Sequence, residues 1–196
     1  MPNTAEKLMS LDEFLAWERE QPERYEYAGG VVTMMTGGSA GHVTIALNLA
    51  VALRHALRGT GCRPFGSDMK VIANDTARYP DVSVTCRPVR DRDDNISHPV
   101  LVVEVISPSA EWEDRGRKKF DYFATPSIQQ YAIIEQDARR VDLYTWSAIA
   151  GRTIVEGDAT LTLSSIGVAI TLDAIYEDTE LDATLPREGE RQASAL

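Results

Sequence analysis

The chain has 196 residues, a length typical of one domain with its own core, and its apolar share of 43% and charged share of 26% are ordinary for a soluble globular protein. The formal net charge of −10 argues against a protein that coats nucleic acid by bulk electrostatics, so any nucleic-acid contact needs a local basic surface. No run approaches the roughly 20 apolar residues of a membrane span, and no cleavable leader is apparent, so we expect a cytoplasmic protein that does not contact membranes. Cys62 and Cys86 lie far apart in the sequence, which favours two reduced thiols over a zinc cluster or a disulfide.

The first part of the chain predicts a helix, a hairpin and a longer helix. Ser10 and Glu13 have the spacing of a capping box, and the helix they begin ends before Pro22. Two β-rich runs around Ala28–Gly30 predict a hairpin. Residues 36–61 predict a long helix ending at glycine. Its apolar residues recur at helical spacing, at Ile45, Leu49, Ala52, Leu53 and Ala56.

The second part predicts mostly strands. Residues 62–73 and 79–86 predict the next two strands, residues 87–98 form a charged loop, and Leu101–Ile106 is a β-branched run typical of a strand buried on both faces. The remaining predicted elements are a helix over 113–124, strands over 129–135, 139–146, 152–155 and 160–163, and a short helix over 172–176. We therefore expect one domain over residues 1–184, followed by a polar, disordered tail over 185–196.

Two acidic residues stand out among these strands. Glu104 lies in the middle of an apolar strand, where a carboxylate is costly without a partner, and Asp81 follows Pro80 at the start of an earlier strand. If the two strands are neighbours and both acids share a face, the carboxylates converge into a hard-oxygen site suited to Mg²⁺ or Mn²⁺. A bound cation would compensate the buried charge. A salt bridge from Glu104 to a nearby lysine or arginine explains the pair equally well.

The helix predicted after Glu104 adds further polar groups. Asp114, Lys118 and Asp121 share one side of it, and Tyr122 lies four residues after Lys118. The turn from strand to helix would bring that side back over the two acids. The alternative is an exposed face in which Asp114 and Lys118 form an ordinary ion pair, which we favour for Asp114 but not for Lys118.

The order and spacing of four segments resemble the Uma-two family of restriction endonucleases, within the PD-(D/E)XK nuclease superfamily. The segments are YPDVSVTC, PVLVVEVISPS, DRGRKKFDYF and IQQYAIIEQDARRVDLYTW. The resemblance begins near LDEFLAWE and runs to about Trp146, most of the chain. It implies an α/β, restriction-endonuclease-like domain with a mixed central sheet flanked by helices, and a metal-dependent DNA endonuclease that hydrolyses phosphodiester bonds.

The resemblance assigns roles to individual residues. Pro80-Asp81 matches the PD of the superfamily and Glu104 its second acid. The lysine expected two positions later would fall at Ile106, which cannot perform that chemistry. The family pattern Asp-x-x-x-Lys-x-x-x-Tyr is matched instead by Asp114, Lys118 and Tyr122. Lys118 is then a lysine that has migrated to the following helix, with Lys119 as a less well aligned substitute.

The implied chemistry uses Asp81 and Glu104 to hold Mg²⁺ or Mn²⁺, which polarises the phosphate and lowers the pKa of a bound water. Lys118 orients that water or offsets charge on the phosphate. Three residues support this site in the family. Glu26 is a third acid or else an exposed strand residue, and Tyr122 is a packed aromatic that positions Lys118. His42 contacts phosphate or a metal-bound water, although a hydrogen-bonded core histidine is slightly favoured.

A basic surface for DNA has candidates in two segments, Arg115, Arg117, Lys118 and Lys119, with Arg87, Arg90 and Arg92. The alternative is a solvated face balanced by the neighbouring acids. Because cutting two strands takes two sites, the resemblance also implies a homodimer. The main rival function is a non-catalytic nucleic-acid-binding or regulatory protein that keeps the nuclease fold. A hydrolase of another phosphorylated substrate is a third reading.

Overall fold

The computed structural model describes residues 8–106, 114–146 and 151–182. The helices in these ranges are α1 (Leu11–Glu18), α2 (Ala40–Ala56), α3 (Lys119–Phe123) and α4 (Leu172–Tyr176), with a π-helical turn, Asp114–Lys118, leading into α3. None of them is long and apolar enough to cross a membrane. The predicted capping box is confirmed, since Ser10 Oγ accepts from the Glu13 amide and Glu13 accepts from the Ser10 amide. The predicted tail from residue 185 lies outside the described residues.

Thirteen strands are found in the described part of the chain. They are β1 (Tyr25–Ala28), β2 (Val31–Met34), β3 (Arg63–Gly66), β4 (Lys70–Ala73), β5 (Thr76–Arg78), β6 (Val82–Thr85), β7 (Asn95–Ile96), β8 (Leu101–Ile106), β9 (Gln130–Glu135), β10 (Arg140–Thr145), β11 (Gly151–Glu156), β12 (Thr160–Leu163) and β13 (Val168–Thr171). A six-stranded sheet has the order β11-β10-β9-β8-β6-β3, and a five-stranded sheet has the order β2-β1-β5-β4-β7. Strands β12 and β13 form a separate hairpin. Each of the two larger sheets contains both parallel and antiparallel pairs, so the expected mixed α/β architecture is confirmed.

The two strands predicted over residues 62–73 and 79–86 are divided differently in the structure. Residues 67–69 turn the chain, so β3 joins the six-stranded sheet while β4 joins the five-stranded one. The chain then returns through β5 to β6, and Tyr79–Asp81 crosses between the sheets. Asp81 therefore lies at the junction of the two sheets, next to the first residue of β6.

The central strands of the six-stranded sheet, β6, β8 and β9, are buried on both faces. One face packs against α2 and α4 through a large apolar cluster that includes Ile45, Leu49 and Leu53 from α2. The other face, with Val102 and Ile106 of β8, packs against Tyr122 of α3 and apolar residues of the five-stranded sheet. All six residues of β8 are buried, as its continuous apolar run predicted.

The prediction of two reduced thiols is wrong, because Cys62 and Cys86 form a disulfide. The pairing of β3 with β6 sets Arg63 opposite Thr85. One further residue in that register sets Cys62 opposite Cys86, with their Cα atoms 3.9 Å apart. The two cysteines are 24 residues apart in the sequence, and only the antiparallel register of β3 with β6 brings them together, so the sequence alone did not predict this contact.

A buried ionic cluster fixes α1 to the five-stranded sheet. Lys70 Nζ lies 2.5 Å from Glu18 Oε2, and both side chains are about 95% buried, with 4% and 5% exposure. Glu18 Oε1 also accepts a 2.5 Å hydrogen bond from the Tyr79 hydroxyl. The two charges thus compensate each other without solvent. Loss of one residue would leave the other buried with an uncompensated charge.

We expect Lys70→Met to lower the free energy of unfolding by about 3–5 kcal/mol, because it leaves the Glu18 carboxylate buried without its cation. The double variant Glu18→Gln/Lys70→Met removes both charges and should be more stable than Lys70→Met alone. Urea unfolding followed by circular dichroism measures both. A double variant no more stable than the single one would contradict the buried pair.

Tyr176 fastens α4 to the turn between β9 and β10. Its hydroxyl lies 2.8 Å from the carbonyl oxygens of Glu135 and Ala138 and accepts from the Arg140 amide. Burial raises the pKa of this phenol above its ordinary value, and the nearby Glu135 carboxylate adds to the rise. The folded state therefore favours the neutral phenol.

Because its pKa is raised, Tyr176 should contribute less to the free energy of unfolding as the pH rises above 10. Because the folded pKa exceeds the unfolded value of about 10, the contribution of Tyr176 is complete below pH 10 and falls by about 1.4 kcal/mol per pH unit above it. Tyr176→Phe should be less stable than the wild type at pH 8 by about 1–2 kcal/mol, and that difference should shrink between pH 10 and 11. Urea titrations at each pH test this, and a constant difference would refute it.

Candidate functional site

Asp81 and Glu104 lie side by side at the junction of the two sheets. Strands β6 and β8 pair antiparallel with Val82 opposite Val103, and one further residue in this register sets Asp81 beside Glu104 on the same face. Asp81 Oδ2 accepts a 2.7 Å hydrogen bond from the Val105 amide, which fixes its carboxylate against β8. The convergence expected from the sequence is thus present in the structure.

Two groups from the segment after β8 contact the Glu104 carboxylate. Lys118 Nζ lies 3.3 Å from Glu104 Oε1, and the Tyr122 hydroxyl donates to the same oxygen at 2.8 Å. The spacing of four residues brings both side chains to one side of the π-turn and α3, as the sequence pattern predicted. These contacts explain how a carboxylate with only 6% side-chain exposure is tolerated.

Glu26 of β1 closes the site from the five-stranded sheet. Its Oε1 accepts from the Tyr79 amide at 3.0 Å and lies 3.8 Å from Lys118 Nζ. The alternative of an exposed strand residue does not hold, since its side chain is only 17% exposed. Lys118 thus lies between two carboxylates, one from each sheet.

Arg78 holds this arrangement from behind and was not singled out from the sequence. It is 1% exposed, and its guanidinium binds Asp121 Oδ2 of α3 at 2.6 Å and Glu26 Oε2 of β1 at 3.3 Å. It thereby ties α3, which carries Tyr122, to the sheet that carries Glu26. The sequence signal was weak, because Arg78 lies in the short run Thr76-Ala77-Arg78 before Tyr79-Pro80, and nothing in that run marks it as buried.

His42 contacts the site from the first turn of α2. Its Nε2 lies 2.8 Å from Asp81 Oδ1, and the histidine side chain is 22% exposed. The helix begins at Ala40, later than the predicted residue 36, because Ser39 caps it by accepting from the His42 amide. His42 is therefore a hydrogen-bonded partner of a site acid rather than a residue of the core.

The three acids, His42 and Lys118 open onto one cleft of about 460 Å³, whereas Arg78 and Tyr122 do not line it. Its polar lining includes Glu26, His42, Asp81, Glu104, Lys118 and Gln136. The loop before α2, with Thr36, Gly37 and Gly38, forms another wall. Ser39 Oγ donates to Gln136 Oε1 at 3.1 Å, which connects this loop to the end of β9.

The electrostatics of the site keep its supporting groups in fixed protonation states. Burial raises the pKa of the Tyr122 phenol well above its ordinary value, and the neighbouring Glu104 charge raises it further. Burial acts to lower the pKa of Arg78, but Tyr122, Asp121 and Glu26 outweigh it and the net shift is upward. Tyr122 therefore remains a hydrogen-bond donor and Arg78 a cation at neutral pH.

The donor set suits some metals better than others. Among the residues the structure describes, no group of three or more His, Cys, Asp and Glu side chains is arranged to hold a metal ion. An all-protein cage of the kind zinc prefers is therefore absent from that part of the chain. Mg²⁺ and Mn²⁺ differ, because they accept one or two carboxylates and complete their shell with water and substrate phosphate. Asp81 and Glu104 fit that requirement.

Other residues singled out from the sequence lie away from this cleft. Ile106, at the position of the missing lysine, is 3% exposed and packs in the core. Lys119 points to the opposite side of α3, with Nζ 4.8 Å from the Tyr144 ring centroid. The side chains of Asp114 and Arg115 lie outside the described residues. Of the other basic candidates, Arg90 is paired with Asp93 at 2.9 Å, and Arg117 donates to the Ala28 carbonyl.

Comparison with known sequences identifies a matching family model and two similar proteins. Residues 11–174 match the family model Uma2, described as "Putative restriction endonuclease". The chain is 39% identical over 174 residues to the "Uncharacterized protein slr1290" of Synechocystis, covering 86% of this chain and 91% of that protein. It is 29% identical over 143 residues to a second Synechocystis protein, sll1609, covering 70% of this chain and 81% of that protein.

A solved structure shares the fold. A crystal structure from Anabaena variabilis, described as a "putative nuclease belonging to DUF820", matches with a TM-score of 0.70 and 19% identity. The match covers 85% of this chain and 97% of the other. At this identity the likeness shows the fold alone, which agrees with the α/β, nuclease-like architecture predicted from the sequence. The match over residues 11–174 shows that the chain belongs to the Uma2 family, whose model is described as "Putative restriction endonuclease".

Proposed function

We propose that the protein is a metal-dependent DNA endonuclease that hydrolyses phosphodiester bonds, with Asp81, Glu104 and Lys118 as its catalytic residues. The observation that carries this proposal is the position of Lys118 Nζ, 3.3 Å from Glu104 Oε1 in the cleft that Asp81 also lines. Position 106 is an isoleucine, and Lys118 of the π-helical turn brings a lysine to the cleft instead. Membership of a restriction-endonuclease family supports DNA as the substrate.

In this proposal Asp81 and Glu104 hold Mg²⁺ or Mn²⁺, which when bound polarises the scissile phosphate and lowers the pKa of a water. Lys118 places a positive charge in the cleft, where it offsets charge that develops on the phosphate oxygens. Tyr122 and the Val105 amide orient the two carboxylates by donating to them. His42 steadies Asp81 from the opposite side, at 2.8 Å.

Glu26 and Arg78 act as positioning residues for Lys118. Glu26 draws the ammonium group toward the five-stranded sheet, while Arg78 fixes Glu26 and α3 relative to each other. Without them the flexible lysine side chain would lose its fixed place beside Glu104. Their contribution is to the geometry of the site rather than to a chemical step.

A non-catalytic nucleic-acid-binding or regulatory protein is the second candidate, and two observations favour it. The described residues hold no cluster of three metal-ligating side chains, and the Glu104 carboxylate already pairs with Lys118. A cation bound at Glu104 would share that carboxylate with the lysine. Under this candidate the ion pair is structural, and neither metal binding nor cleavage occurs.

The family also motivates proposals on assembly and location. We propose a homodimer, because cleavage of both strands of a duplex takes two sites. We also propose a cytoplasmic protein, in which the Cys62–Cys86 disulfide would be one of the uncommon disulfides of a reducing compartment. We further propose that residues 1–184 form one domain. Each of these rests on the sequence and the family rather than on the geometry of the cleft.

The first test is cleavage of plasmid and oligonucleotide DNA with Mg²⁺ or Mn²⁺. We expect Asp81→Ala, Glu104→Gln and Lys118→Met each to lower the cleavage rate by about 10²-fold or more, because each removes a group that stabilises charge at the phosphate. Asp158→Asn is the control, since Asp158 has an 87% exposed side chain and lies outside the cleft. Equal rates in the wild type and all three site variants would refute the catalytic assignment.

The second test is metal binding without substrate, which separates the two candidate functions. Calorimetric titration with Mn²⁺ should show binding to the wild type and to Asp158→Asn, and a clear loss of affinity in Asp81→Ala and Glu104→Gln. Lys118→Met should bind Mn²⁺ at least as well as the wild type, because it removes a cation that competes for Glu104. Absence of Mn²⁺ binding by the wild type would favour the non-catalytic protein.

A further inference from the structure

A cluster of aromatic and cationic side chains lies on the side of α3 that faces away from the cleft. We call it the aromatic patch, and its members are Lys119, Phe120, Phe123, Tyr144, Trp146 and Arg152. They come from α3, from β10 and the residue after it, and from β11. None of them lines the cleft, and the proposed chemistry uses none of them.

Three rings of the patch contact one another, and Phe120 lies on their side of α3 because it is three residues before Phe123. Phe123 stacks on Trp146 with centroids 5.2 Å apart and an interplanar angle of 27°, and it meets Tyr144 edge-on at 6.3 Å. Trp146 is nevertheless 52% exposed, and Phe120 is 75% exposed. Exposed aromatic residues grouped in this way mark an interaction surface rather than scattered surface apolar residues.

Positive charge lies directly beside these rings. Lys119 Nζ is 4.8 Å from the Tyr144 ring centroid, and the Arg152 guanidinium carbon is 5.9 Å from the same centroid. Arg152 also binds Asp142, a buried acid that it shares with Arg140, so Asp142 offsets only part of the charge of Arg152. In a chain of net charge −10, two cations beside exposed rings suit a partner that is both flat and anionic.

We propose that the aromatic patch binds single-stranded nucleic acid, with unpaired bases stacked on Phe120 and Trp146 and phosphates next to Lys119 and Arg152. A duplex hides its base faces, whereas an unpaired strand offers them to aromatic side chains. Protein interfaces are rich in aromatic residues and arginine but poor in lysine, so Lys119 is the member of the patch that favours an anionic strand over a protein partner.

This inference rests on the proposed nuclease function, of which it names the substrate class. Lys118 faces the cleft while the next residue, Lys119, faces the patch. Consecutive helical residues point about 100° apart, so a strand bound on the patch would lie on a different side of this segment from the cleft. The patch would hold an unpaired segment beside the acids rather than the bond to be cut.

The test is fluorescence anisotropy with a labelled single strand of about 12 nucleotides, in EDTA so that metal-dependent cleavage cannot interfere. The wild type should bind the single strand more tightly than the duplex of the same sequence. Phe120→Ala and Trp146→Ala should each weaken binding by about 5- to 100-fold, while Trp146→Phe keeps a ring and should stay within about 3-fold of the wild type. Leu47→Ala, an equally exposed apolar position on α2, should have no effect.

The cationic part of the patch is tested by salt. Lys119→Gln should weaken binding and reduce the slope of log affinity against log salt by about 0.7, the value for one phosphate contact on a single strand. Equal affinity for duplex and single strand would overturn the proposal. Unchanged affinity in Phe120→Ala and Trp146→Ala would also overturn it. The same holds if these variants change the oligomeric state in sedimentation but not the affinity for the single strand.

The two proposals can fail separately. Patch-dependent binding in EDTA without cleavage in Mg²⁺ or Mn²⁺ would refute the nuclease function and leave the patch intact. Cleavage of single-stranded DNA at equal rates by the wild type and the patch variants, with unchanged affinity, would refute the patch alone.

Discussion

The structure around the cleft depends on the compensation of one buried carboxylate. Glu104 lies in the central strand of the six-stranded sheet, where an unpaired charge would cost several kcal/mol. Lys118 and Tyr122 provide its partners, and both reach it from the segment that follows the strand. Pairing the Glu104 carboxylate with these two side chains holds α3 against the sheet. It also brings Lys118 into the cleft beside the acids.

The second constraint is the junction of the two sheets. Asp81 and Glu26 belong to different sheets, and the crossing of the chain at Tyr79–Asp81 brings their strands together. Arg78 lies at that crossing and binds acids from both β1 and α3, so one guanidinium sets the distance between three elements. This buried cation, paired with an acid through each of its two terminal nitrogens, gives the cleft a rigid back wall, which is what a site for charge stabilisation requires.

In this acidic chain, the cleft and the aromatic patch each contain one of two consecutive lysines. Lys118 and Lys119 are adjacent in sequence but point in different directions, the first toward acids of the cleft and the second toward the aromatic rings of the patch. Positive charge is thus present at both surfaces, although the chain as a whole has a net charge of −10. The first position suits chemistry at a phosphate and the second suits the recognition of an anionic chain.

The sequence by itself determined the local features and the identities of the acids. The capping box, the buried run of β8 and the four-residue spacing of Lys118 and Tyr122 follow from periodicity, and the family followed from the order of the motifs. Only the tertiary structure decided which residues meet across the fold. The pairing of Cys62 with Cys86 depends on the register of β3 with β6, and the role of Arg78 depends on two acids from distant segments. Register and long-range packing are set by the whole core, and no local pattern encodes them.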